Sequence, residues 1–523
     1  MQWLSSLGPV GEVLRVIILI VEVLLVFNLM ILVHEWGHFL AARWRGLKVE
    51  AFYIWFGKPI WKKTINGVEY GLGSIPAGGF VKLPQMAPMD AIEGGSSSEE
   101  PLPPITPLDK AIVAFAGPLF SFGLAVLFAF IVNALGKPVS EPFSTTTIGY
   151  VVKDSPAEKG GLKVGDVIKE VDGHKIRQFE GFVDSVRWGI ISSEGKEIVF
   201  KVERPGQGIL DLQVAAAWGD PNKPKPSWWE SIFTRPALRE VGISGKETPM
   251  VGNVQKDSPA ADAGLQARDQ ILSVDGNRLF SGIQLAEYLK VKGAKSVELL
   301  VHRLEKNETK EFPVTLTPRI PDKRPENDTS FDRPMLGIEW HAKGELKITH
   351  PPVTEQISDA ARSMVNMIGK LISPKSDIGP GHMSGPVGIG RVYYSLLQEP
   401  AALLQVLWFS VVLNINLAIM NMLPFPVLDG GHITMAIAEA IRRRPVHTRF
   451  LEIVQTACAL ALFGFLIFVT LKDAGDIFMG GKKKSNPGSE IGWLPKEQRV
   501  PTPPPVITPA PVPAPAAPAN PGS

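Results

Sequence analysis

Cysteine is almost absent: Cys458 is the only one in 523 residues, so no internal disulfide staples this chain. It lies in an apolar run, where a small buried side chain is its ordinary role. Charge imbalance is missing too. Lys and Arg total 54 against 52 Asp and Glu, a formal balance of +2, and no long basic tract precedes the tail, so nothing points to nucleic acid as a partner. Histidine is scarce, with 9 in the whole chain, which gives weight to any two that stand in register. The Gly-rich stretch Ser384 to Gly388 lacks the lysine of a phosphate-binding loop and reads as a hinge or a tight helix entry.

Long apolar runs, by contrast, are plentiful. Four reach the ~20 residues needed to cross a bilayer: Val16 to Ala42, Ala111 to Leu135, Ala401 to Leu423, and Phe450 to Leu471. The first is too long for a cleavable signal peptide and has little positive charge ahead of it. Arg43, Arg45, Lys48, Lys58, Lys62 and Lys63 follow it, and Arg442, Arg443, Arg444 and Arg449 separate the third run from the fourth. Both loops are therefore expected on the cytoplasmic side. Both termini and the long section between the second and third runs are then outside. Lys482, Lys483 and Lys484 argue the other way, one tail against two loops.

Inside the first run stands His34-Glu35-Trp36-Gly37-His38. Residues four apart share a helix face, so both imidazoles reach one ion with Glu35 beside them. Ionisable groups at membrane depth are costly and by default functional. A catalytic zinc takes three protein ligands and keeps a position open for water. The residue six past His38 is Trp44, not the His a metzincin needs. The third run ends in Asn421-Met422-Leu423-Pro424-Phe425-Pro426-Val427-Leu428-Asp429-Gly430-Gly431-His432, where prolines and glycines open the helix around an acid. Asp429 is the expected third ligand of one zinc ion per chain. His34 lies about 13 Å along the helix from Arg43 at 1.5 Å per residue, which places the site near the cytoplasmic leaflet. Glu35 is expected to take a proton from water as it attacks a carbonyl, which makes the reaction peptide-bond hydrolysis.

Between these halves the chain changes character. Phe52 to Phe56, then Ile60 to Thr64, Asn66-Gly67 and Val68 to Tyr70 predict a membrane-associated β-hairpin, with Gly71, Gly73, Gly78 and Gly79 interrupting the next apolar stretch. Its edge, with Gly71 and Gly73, and Asn421 are the expected holders of an unwound substrate backbone. A Ser, Glu, Pro and Gly-rich loop follows to Pro107. Ala116-Gly117-Pro118 in the second run permits close helix packing. Then comes an internal repeat. Lys153-Asp154-Ser155-Pro156-Ala157, Gly161-Leu162, Asp166, Ile168 and Val171-Asp172-Gly173 recur as Lys256 to Ala260, Gly264-Leu265, Asp269, Ile271 and Val274-Asp275-Gly276. Gly165 becomes Arg268 in the second copy, so its turn is expected to differ. Val353, Ile357, Ala360, Ala361, Met364, Ile368 and Leu371 share a helical face, suited to lie on the membrane or under the repeats. From Pro501 the tail is dominated by Pro, Ala and Val.

The repeats resemble PDZ domains of the bacterial protease-associated type, which bind extended peptides by strand addition. That resemblance implies that Ile148-Gly149-Tyr150 and Val251-Gly252-Asn253 form peptide loops. With His34-Glu35-Trp36-Gly37-His38 and the Asn421 to Gly430 element, the chain resembles the site-2 protease family of intramembrane zinc metalloproteases (M50 type), in its two-PDZ, sigma-E-regulating form. The resemblance implies zinc on His34, His38 and Asp429, catalysis by Glu35, and substrate contact at Asn421; Ser121 stands where the family carries Asn and receives no role. It also implies a multi-pass protein of the bacterial inner membrane with periplasmic PDZ domains and termini. Expected substrates are single-span membrane proteins such as a pre-trimmed anti-sigma factor, and remnant signal peptides. An inactive PDZ-bearing scaffold and a transporter with a metal site are the competing readings.

The expected fold is thus an α-helical polytopic membrane protein of about four transmembrane helices, with a membrane-associated β-hairpin and two extracytoplasmic α+β PDZ domains. Its boundaries are 1–48, 49–108 and 109–137 for the first span, hairpin with loop, and second span. The PDZ domains take 145–217 and 247–320, followed by a linker at 321–399. The third span with its loop is 400–445, the fourth 449–472, and the tail 473–523.

Overall fold

The computed structural model describes residues 8–86, 105–219, 227–305, 308–324, 331–341, 344–398, 401–443, 448–478, 491–495 and 497. The expected Ser/Glu-rich loop at 87–104, Lys482 to Lys484 and the Pro-rich tail from 501 lie outside these. Two compact units form, one holding 1–249, 279–284 and 342–484, the other holding 250–278, 285–341 and 485–523.

In the first unit, α1 (Gly8–Trp44) is followed by β1 (Ala51–Phe56), β2 (Trp61–Ile65), β3 (Val68–Leu72) and β4 (Ile75–Lys82), then by α2 (Pro107–Leu135). Thr106 caps α2 by accepting from the Asp109 backbone N–H, and Asp109 reciprocates toward the Thr106 backbone. The expected hairpin is present as β2–β3, closed by left-handed Asn66 and Gly67. It is only half of the element. The strand order is β2-β3-β1-β4, with β1 parallel to β3 and antiparallel to β4, so a four-stranded mixed sheet replaces the predicted hairpin. Phe52, Val68 and Val81 of this sheet pack with Phe39 and Ala42 of α1 and Val113 of α2. Trp55 adopts a left-handed φ of 71° beside a register shift in β1, and its indole N–H donates to the Asn28 side chain on α1. The sheet is thereby pinned to the helix that carries the two histidines.

The first repeat module starts after β5 (Lys137–Ser140) with β6 (Ile148–Val151). A four-stranded sheet, ordered 208–215, 197–204, 167–171 and 174–175, covers a core of Ile168, Ile198, Phe200 and Val202. The module does not end at 217: β7 (Ile243–Gly245) returns to pair antiparallel with β6. In the second unit β8 (Val251–Val254) is paired in the same way by β9 (Ile338–Trp340), well past the expected boundary at 320. Each repeat therefore closes on a strand donated from its C-terminal side. Arg268 keeps the turn that Gly165 makes, with φ of 73° against 89°, so the expected difference between the copies does not arise.

Back in the first unit, β10 (Leu346–Thr349) pairs with β5 and forms a stem. The predicted amphipathic helix is α3 (Val353–Ile372). Its apolar face joins Val353, Ile357 and Ala360 to Leu124, Phe128 and Ala129 of α2. Its polar face pairs Glu355 and Asp359 with Arg177, and Arg362 with Asp184, of the first module. Then come α4 (Ala402–Asn421), α5 (Asp429–Arg442) and α6 (Thr448–Phe478). α1, α2, α4 and α6 are the four described helices long and apolar enough to cross a membrane.

Candidate metal centre

α1 presents His34 and His38 one turn apart, with ring centroids 4.9 Å from each other. α2 lies close against this face because glycines remove the intervening bulk: a Cβ on Gly37 would overlap the Ala116 carbonyl, and one on Gly117 would overlap His38 Nε2. Asp429 arrives from a different element. α4 stops at Asn421, residues 422–428 fold back, and α5 begins at Asp429. This return needs Gly430 and Gly431, because side chains there would strike the carbonyls of Met422 and Phe425.

The result is convergence. His34 Nε2 lies 3.3 Å from Asp429 Oδ2, His38 Nε2 lies 3.4 Å from Asp429 Oδ1, and the two Nε2 atoms are 3.3 Å apart. Among the described residues these three form a cluster whose donor atoms lie within 4.8 Å of one another. The far side of each ring supports a metal role. His38 Nδ1 donates to the Val113 carbonyl at 2.8 Å, which fixes the proton on Nδ1 and leaves the Nε2 lone pair facing Asp429. His34 Nδ1 meets Ser121 Oγ at 3.0 Å. Ser121 is fully buried. Two imidazoles, each held from behind, and a carboxylate fit a divalent zinc ion.

These atoms open on a cavity of about 220 Å³ that Glu35, Asn421 and His432 also line. Asn421 Nδ2 lies 3.2 Å from His34 Nε2, within reach of anything held there. The strand at the cavity is β4, through Gly79, Phe80 and Val81. A Cβ on Gly79 would stand 3.3 Å from Glu35 Cγ. Gly71 and Gly73, expected to hold substrate backbone, do not line this cavity but belong to β3 and its exit, inside the sheet. There Gly71 makes room for the Tyr53 ring and Gly73 for the carbonyls of Trp55 and Phe56.

The residues expected as peptide loops are strands. Ile148, Gly149 and Tyr150 form β6, which pairs with β7 while Ile148 exchanges backbone bonds with Gly165 and Asp166 on its other side. Val251, Gly252 and Asn253 form β8, and Val251 makes the same bonds to Arg268 and Asp269. These are interior strands. In the two-stranded ladders β6–β7 and β8–β9 the outer strands are β7 and β9. The signal was present in sequence, since Val241-Gly242-Ile243 and Leu336-Gly337-Ile338 repeat ahead of those edges. Nothing comparable announced Ser121, Val113 or the Trp55 contact with Asn28.

A Glu beside two His and an Asp, gathered by apolar helices, defines a metal-dependent hydrolase. The model of Peptidase family M50 matches residues 22–465, and the chain belongs to that family. It is a zinc metalloprotease. "Regulator of sigma-E protease RseP" of Escherichia coli (strain K12) is 28% identical over 452 residues, covering 81% of this chain and 90% of its own length. "Protease RseP" of Yersinia pestis is 29% identical over 443 residues, covering 81% and 90%. A solved PDZ domain of an SdrC-like protein from Listeria monocytogenes is 26% identical, covering 18% of this chain and 87% of that domain at a TM-score of 0.14.

Proposed function

We propose that this protein hydrolyses peptide bonds within or near the membrane-spanning segments of single-span proteins. The observation that carries this is the meeting of His34, His38 and Asp429 beside Glu35 in a cavity walled by apolar helices and one strand edge. When bound by the three ligands, zinc supplies Lewis acidity that makes a water acidic near neutral pH and polarises a carbonyl. Glu35 receives the proton that the attacking water loses. As the new C–O bond forms and the C–N bond breaks, the same carboxyl returns that proton to the departing amine. A helical substrate hides its carbonyls in internal hydrogen bonds, so it must unwind. The free edge of β4 at Gly79 to Val81 accepts that unwound strand, and the Asn421 amide holds the carbonyl next to the cut.

Charge supports a cytoplasmic position for the site. Arg45 pairs with Asp109 at 2.7 Å and Lys110 with Glu439 at 2.8 Å, gathering one end of α1, α2 and α5 into an ionic cluster beside the basic loops. The two repeats are then periplasmic PDZ domains of a bacterial inner-membrane enzyme, taking extended peptides on β7 and β9. The family resemblance then suggests as substrates an anti-sigma factor trimmed by an earlier protease, in envelope stress signalling, and remnant signal peptides.

Cleavage of a model single-span substrate tests this directly. Glu35→Gln should retain zinc and lose cleavage by at least a hundredfold, the scale of one general base. Asp429→Ala should lose both. Equal cleavage by wild type and Glu35→Gln would sink the mechanism, and unchanged zinc content in Asp429→Ala would remove the third ligand.

A further inference from the structure

The protease reading gives no role to residues 491–494, yet they are seated on the second repeat module. Gly492 exchanges backbone hydrogen bonds with Lys323, donating and accepting at 3.0 Å, and its carbonyl also accepts from the Asp322 N–H. The Leu494 N–H donates to Asp322 Oδ2 at 2.8 Å. Trp493 between them is only 8% exposed. Its indole N–H donates to Gln255 Oε1 at 2.8 Å, and the Arg319 guanidinium lies 5.4 Å from the ring centroid. A Cβ on Gly337 would come within 3.2 Å of the indole nitrogen, so the ring lies against bare backbone at the turn leading into β9.

The internal repeat supplies a control. Gly337 matches Gly242 of the first module: both have left-handed φ and sit against a serine, Ser258 and Ser155. The backbone bonds match as well, with Gln255 donating to the Gly337 carbonyl as Val152 donates to that of Gly242. The side chain at this position differs. Val152 offers no acceptor, whereas Gln255 accepts the indole N–H with its oxygen and reaches Glu339 on β9 with its nitrogen, at 3.4 Å. One module carries the aromatic seat and the other does not.

We propose that Gly492-Trp493-Leu494 is a ligand in cis for a binding site on the second repeat module, separate from the open edge of β9. The site takes a short extended peptide with a central tryptophan, using Lys323 for the backbone, Gln255 and Arg319 for the indole and Asp322 for the following amide. Because Gln255 also touches Glu339, occupancy steadies the strand on which a peptide would add.

Hydrogen exchange on the full chain in detergent tests this. Truncation after Lys484 and Trp493→Ala should each speed exchange at Asp322 and Lys323 at least tenfold, with 148–152 of the first module unchanged. A synthetic peptide of residues 488–497 added to the truncated chain should restore that protection saturably. Gln255→Val, which copies the first module, should weaken the peptide about fivefold, the effect of one lost hydrogen bond. Unchanged exchange after truncation would overturn the proposal. So would equal restoration by the peptide carrying Ala in place of Trp493.

Discussion

At the two histidines that face Asp429, each ring is held by a contact at the nitrogen turned away from it. His38 donates Nδ1–H to the Val113 carbonyl and so offers its Nε2 lone pair inward, and the His34 ring is held in place at Nδ1 by Ser121 Oγ. Removing such a support costs metal affinity rather than chemistry, typically 10–100-fold. Ser121→Ala should therefore weaken zinc binding by about tenfold or more in a chelator competition, with cleavage recovering when zinc saturates. Ser121→Thr, which keeps the hydroxyl, should stay near wild type. Unaltered affinity in Ser121→Ala would show that His34 orients without it. Sequence placed the two histidines and the base here because their spacing is local. It gave Ser121 no role, because a hydroxyl on another helix acquires one only when the two helices touch.

The helices and the sheet make that touching possible. α1 and α2 approach through Gly37 and Gly117, and a methyl group at 117 would stand 2.1 Å from His38 Nε2. Gly117→Ala should thus abolish zinc retention while the protein still extracts and purifies as a folded species. Gly123→Ala on the same helix, with nothing within 4 Å of the added carbon, should be silent. Zinc bound normally by Gly117→Ala would mean that the helices separate at little cost. Asn66-Gly67 announced one hairpin correctly, since a two-residue turn is local chemistry. The parallel pairing of β1 with β3 and the placing of β4 at the cavity depend on strands distant in sequence, and for that reason local pattern does not show that Gly79, rather than Gly71 or Gly73, lines the cavity.

Across the molecule, the β5–β10 stem brings together the two ends of the long section that holds both repeats. α3 bridges the first repeat to the helices, apolar on one side and ion-paired on the other. Each exposed pair contributes at most about 1 kcal/mol, so the burial of Val353, Ile357 and Ala360 holds α3 in place. If the repeats exclude untrimmed substrates, deletion of residues 145–320, which spares the stem, should admit single-span substrates with bulky outer domains. A cleavage assay comparing folded and truncated outer domains reads this, and continued exclusion would assign the filter elsewhere.

The sequence alone determined the chemistry: His34, Glu35 and His38 share a helix face by covalent spacing, and apolar length marked the four long helices. It also determined the duplication, which is a matter of identity along the chain. Tertiary structure decided what completes and surrounds that chemistry. Asp429 joins the histidines across nearly four hundred residues, β4 rather than β3 meets Glu35, and β7 and β9 close the repeats from behind. These are long-range pairings, selected by which surfaces bury one another and which backbone groups find partners; a local motif can name a participant, as it does Asp429, but not the contact it makes.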